Sequence, residues 1–108
     1  MNLSANQLAQ LQRLRNAHFE IVAFPMYSNH IGIRKGNCAA LLAPSPPSDT
    51  FTLFGAPSYL IAGNLAVKVQ RNSRQFFVWK KTQLEVTPER QSELDAFARE
   101  LAALLESR

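Results

Sequence analysis

Two short loops in tandem, Gly63-Asn64 and Asn72-Ser73, divide the stretch from Tyr59 to Lys81 into three strand-length segments. Taken as two-residue hairpin turns, they predict a three-stranded meander whose register can be written down. Ala62 then faces Leu65 and Leu60 faces Val67, while Val69 meets Phe76 and Val67 meets Val78 across the second turn. One face carries Leu60, Ala62, Leu65, Val67, Val69, Phe76 and Val78. Because side chains alternate along a strand, the other carries Tyr59, Ile61, Ala66, Lys68, Phe77 and Trp79. Both faces are mostly apolar. An antiparallel sheet with one solvated face would be polar on that side, so each face of this meander needs a cover or a use.

The whole chain of 108 residues, 46% of them hydrophobic, is long enough for one core and too short for two, so residues 1–108 read as a single domain. Its seven Phe, two Tyr and one Trp are unlike a disordered chain. The start lacks the basic region and long apolar run of a secretory signal. The longest uncharged apolar run, Cys38 to Ala43, is far too short to span a bilayer. A lone Cys38 forms no internal disulfide, which suits a reducing compartment. The expectation is a soluble cytoplasmic protein with no membrane partner.

The net charge of +4 is unevenly distributed: residues 1–20 carry +1, residues 21–84 carry +6 and residues 85–108 carry −3. Either an acidic C-terminal helix neutralises basic strands from within, or the basic sheet surface meets an acidic partner.

The N-terminus carries helix-start signals. With Ser4 as N-cap, Gln7 completes a capping box, Leu3 can staple to Leu8, and Leu8, Leu11 and Leu14 recur at helical spacing. A helix is expected from about Ser4 to about Ala17. At the other end Thr87-Pro88-Glu89 reads as N-cap, proline at the first helical position and an acid in the first turn. Leu94, Phe97, Ala98, Leu101, Leu104 and Leu105 then form a wide apolar stripe, so a second helix is expected from about Pro88 to about Glu106.

Between the helices the chain is strand-like. Phe19 to Phe24 ends at Pro25, which cannot donate to a ladder. Ile31 and Ile33, the Lys35-Gly36-Asn37 turn and the run Cys38 to Ala43 suggest a hairpin, and Thr50 to Phe54 favours a strand. Residues 44–49, Pro-Ser-Pro-Pro-Ser-Asp, suit neither regular structure and read as an exposed loop inside the domain. The fold class is therefore α+β: a mostly antiparallel sheet of five to seven short strands flanked by an N-terminal and a C-terminal helix.

Catalytic chemistry finds little support. His18, His30 and Cys38 do not stand at zinc-site spacing. The four glycines are too scattered for a phosphate loop, there is no G-x-S-x-G, and most carboxylates gather on one helix instead of facing across a cleft. No enzyme activity, metal or cofactor is expected.

The second meander face is the one constellation with chemical content. Phe77 and Trp79 project the same way, Tyr59 lies across the sheet, Lys68 stands opposite Phe77, Arg71 and Arg74 flank the hairpin tip, and Lys81 follows the strand. Single-stranded nucleic-acid binders use such rings for bases and such cations for phosphates. Arg74 to Trp79 resembles the aromatic strand of RNA-recognition sheets, with Gln75 where a glycine would let a base approach. A terminal helix could instead cover these rings, or a second copy of the chain could bury them in a homodimer. The expected function is a small non-catalytic binding or adaptor module acting through a sheet face or a homodimer interface. Single-stranded nucleic-acid binding by Tyr59, Lys68, Arg71, Arg74, Phe77, Trp79 and Lys81 is the alternative.

Overall fold

The Ser4 hydroxyl accepts from the Gln7 amide at 3.0 Å while the Gln7 side chain accepts from the Ser4 amide at 2.9 Å, so the expected capping box is formed. It opens helix α1 (Ala5–Asn16). The structure, a computed structural model, describes residues 3–106. Met1, Asn2, Ser107 and Arg108, the last counted above in the C-terminal charge, lie outside them. Leu11 and Leu14 are buried, but Leu8, expected in the same stripe, is 53% exposed. Six residues before Leu14, it lies about 120° round the helix axis from it. Gln10 takes the buried position instead.

The chain continues through β1 (Glu20–Val22), a single 3-10 turn (Pro25–Tyr27), β2 (Ile31–Lys35), β3 (Cys38–Pro44), β4 (Phe51–Ile61) and the short β5 (Asn64–Leu65). These five strands form one antiparallel sheet in sequential order. A second antiparallel sheet holds β6 (Val67–Arg71), β7 (Arg74–Trp79) and β8 (Thr82–Glu85). Helix α2 (Pro88–Glu106) closes the fold. Thr87 caps it, its Oγ1 accepting from the Arg90 amide at 3.2 Å. The class is the expected α+β with a helix at each end. Among the described residues the strands number eight, in sheets of five and three.

The second turn forms where expected, with Asn72 and Ser73 both at positive φ (49° and 68°), and Lys68 pairs with Phe77. The first turn moves. Its central residues are Ala62 and Gly63 (φ 51° and 77°), so Leu60 pairs with Leu65 and Ile61 with Asn64. A hairpin of this kind needs two consecutive positive φ values, and Gly63 meets the second at no steric cost. Asn64 works from outside the turn, its Nδ2 donating to Ala62 O at 3.0 Å. Leu60 was expected opposite Val67, so the slip is two residues. With a side-chain period of two, every strand residue keeps its expected face.

The expected meander is also divided between the sheets. Ala66 N donates to Tyr59 O at 3.0 Å, extending the β4–β5 ladder by one residue, and beyond it β6 pairs with β7 alone. Residues of both sheets share one core with the helices. Into that core α2 buries Leu94, Phe97 and Leu101 beside Leu14, Ile33 and Phe77. Each such side chain stabilises the fold by about 1.5 to 3 kcal/mol relative to exposure.

A smaller cluster lies on the outer side of the larger sheet, where Phe24 covers Ala39 and Leu41 and Leu60 and Leu65 pack beside them. Phe24 reaches there because residue 32 is glycine: a Cβ at Gly32 would stand 2.6 Å from both the Phe24 ring and Val22 O.

Candidate functional site

Helix α2 settles which face of the three-stranded sheet is core. Tyr59 and Phe77 were expected to offer rings to a ligand, and they are 5% and 0% exposed. The two rings stack on each other, centroids 4.8 Å apart and planes within 10°. The Tyr59 hydroxyl donates to Glu93 of α2, and Asn37 Nδ2 donates to the same carboxylate at 3.2 Å. Lys68 also turns toward α2, its Nζ donating to Gln91 Oε1 at 2.7 Å. The apolar stripe of α2 lies on this side, Leu94, Phe97 and Leu101 sharing one core with Tyr59 and Phe77.

Of the remaining expected site residues, Trp79 packs against the core cluster that holds this pair, and the three cations Arg71, Arg74 and Lys81 stand apart from it. Trp79 is partly buried at the seam between the sheets, where it lines a hollow of about 60 Å³ with Phe24, Tyr27 and Leu65. Lys80 Nζ lies 5.7 Å from its ring centroid. Arg71 and Arg74 are exposed and paired at the β6–β7 tip, Arg71 donating to Gln83 Oε1 at 3.0 Å and Arg74 standing 3.8 Å from Glu85. Lys81 is exposed in the β7–β8 turn.

The opposite face of this sheet is open. Val67 pairs with Val78 and Val69 with Phe76, so four apolar side chains form a two-by-two block facing away from α2. Val67 is 60% exposed, and the other three are partly buried. These residues share one face as their alternation predicts, whereas the binding role was expected of the opposite face. The one charged side chain on the covered face, Lys68, keeps its place there because Gln91 holds its head group while its stem can pack along the helix.

A larger cleft of about 820 Å³ lies between α1, the end of α2 and the loop before β4. Two of its long polar side chains are already engaged. Gln10 bonds the Phe51 backbone and Leu105 O, and Arg13 Nε donates to Leu104 O at 3.3 Å. Among the described residues no three His, Cys, Asp or Glu side chains gather to hold a metal ion, and no helix is long and apolar enough to cross a membrane.

Cys38 and Tyr59 give the core a pH signature. Burial, reinforced by the Glu93 carboxylate, pushes the Cys38 thiol up from 9.0 to about 12. Burial, then the hydrogen bond to Glu93, pushes the Tyr59 hydroxyl up from 10.0 to about 12. A thiol held neutral in this way is a poor nucleophile at physiological pH. Both groups hold their protons more tightly folded than unfolded. Stability is therefore full below about pH 9 and falls as the unfolded chain deprotonates first, until the folded values near 12 are passed. The slope approaches about 1.4 kcal/mol per pH unit for each group. Urea midpoints measured from pH 7 to 11 should show this decline, and Cys38→Ala should flatten its first part. An unchanged slope in that variant would remove Cys38 as its source.

No family model matches the chain, and no significant match emerges from the curated proteins or the solved structures.

Proposed function

We propose that the chain is a small non-catalytic binding module that meets another protein through the open face of the β6–β8 sheet. The observation that carries this is the two-by-two block of Val67, Val69, Phe76 and Val78, with Val67 60% exposed and α2 on the far side of the sheet. Apolar side chains grouped on one open face are a feature of contact surfaces more than of solvated ones. A second reading is nucleic-acid binding transferred to this face. The exposed Arg71, Arg74, Lys80 and Lys81 favour it, with Phe76 as the ring available.

Photo-crosslinking tests both. A benzoyl-phenylalanine introduced in place of Val67 should yield protein adducts in cells, whereas the same group in place of Leu8, a comparably exposed leucine on α1, should not. An adduct of twice the chain mass from purified protein alone identifies the partner as a second copy. Nuclease-sensitive adducts favour the second reading. Equal yields at the two positions would leave the open face with no special role.

A further inference from the structure

A cluster of cations borders this same face. From Val67 to Glu85 stand Lys68, Arg71, Arg74, Lys80 and Lys81 against one carboxylate, Glu85. Lys68 is held by Gln91 on the α2 side. The other four are exposed and sit at the two hairpin ends of the sheet: Arg71 and Arg74 flank the β6–β7 turn, Lys80 and Lys81 form the β7–β8 turn. The ends are separated by the length of β7, six residues, or about 20 Å. The apolar block lies between them.

The larger sheet is treated differently. There Arg34 pairs with Glu20 at 2.6 Å, and Lys35 pairs with Glu100 of the acidic helix at 2.9 Å. On the smaller sheet Arg71 meets only the neutral Gln83 amide, and Arg74 and Glu85 form a 3.8 Å contact between exposed side chains, which solvent screens. Internal neutralisation thus operates on one sheet and leaves the other with a positive field around an apolar centre.

We infer that the partner bound here is an acidic amphipathic protein segment, with apolar side chains against the Val67, Val69, Phe76 and Val78 block and carboxylates reaching the cations at both ends. The inference rests on the open face being the contact surface. A nucleic-acid strand would meet three valines and a single ring at the centre, which offer its bases one stacking partner and no hydrogen-bond partner. An anionic lipid surface would be anchored by large protruding side chains, and the most exposed residue here is a valine.

The test uses two fluorescein-labelled peptides, Glu-Glu-Val-Ser-Val-Ser-Val-Glu-Glu and its analogue with Gln for every Glu, titrated with the full chain. At about 50 mM salt the Glu peptide should bind about tenfold tighter, and the gap should shrink to about threefold or less at about 0.5 M salt, where screening is strong. Arg71→Gln combined with Arg74→Gln should weaken the Glu peptide about tenfold with an unchanged thermal midpoint, and Val67→Ser should weaken both peptides. Equal affinities that both fall in Val67→Ser would overturn the acidic partner while keeping the open face as the binding surface. Binding indifferent to Val67→Ser, or no binding of either peptide, would overturn both. Tighter binding of a twelve-residue oligothymidylate or of phosphatidylserine vesicles would replace the acidic segment with that ligand.

Discussion

Replacing Phe77 by Ala is expected to lower the stability of the fold by about 3 to 5 kcal/mol, the range for a buried aromatic side chain. The ring is fully buried, stacked on Tyr59 and covered by α2, so its removal leaves a cavity that three elements cannot close together. That is a large share of the roughly 5 to 15 kcal/mol that holds a typical domain folded. Val67→Ala, on the opposite face of the same sheet, should change stability by less than about 1 kcal/mol. Urea unfolding of the two variants beside the parent chain reads both effects. A Phe77→Ala protein with an unchanged midpoint would mean the two faces have been assigned the wrong way round.

Gln10→Leu is expected to be nearly as damaging, although it exchanges a polar residue for an apolar one at a buried position. The Gln10 side chain acts as a peptide-group surrogate on the edge of β4. Its Oε1 accepts from the Phe51 amide at 2.7 Å, and its Nε2 donates to Phe51 O at 3.2 Å and to Leu105 O at 3.1 Å. One amide thus ties α1 to the sheet and to the end of α2. Leucine fills the volume and pairs with none of these groups, at about 1 to 3 kcal/mol for each buried polar group left without a partner. Gln10→Ala should be milder, since it leaves room for water to replace the lost bonds. Hydrogen exchange at the Phe51 amide gives the sharper readout. Protection should collapse in Gln10→Leu, and its persistence would show that the amide has another acceptor.

Local signals were legible wherever the determinant lies within a few residues of its effect. The Ser4 and Gln7 capping box, the Thr87-Pro88 start of α2 and the Asn72-Ser73 turn all depend on neighbours in sequence, and each forms as expected. The register around the first turn was less legible because two adjacent pairs compete there. Gly63 supplies a positive φ in either arrangement, and only the bonds made by Asn64 in the folded hairpin distinguish them. Gln10 went unnoticed for a related reason. A glutamine beside Leu11 on a polar helix looks solvent-facing until the edge of β4 is brought against it.

From the chain alone, alternation and turn spacing determined that the segment from Leu60 to Trp79 has two apolar faces, and which residues share each. These properties follow from a strand period of two and survive even a two-residue slip. Which face is covered was decided only in three dimensions. The stripe of Leu94, Phe97 and Leu101 could have packed against either side. In one core with Phe77, it lies on the side where Glu93 reaches Tyr59 and where Gln91 holds Lys68. Those contacts join residues more than twenty positions apart, so no local pattern encodes them. Packing them into one core leaves the Val67 face to solvent.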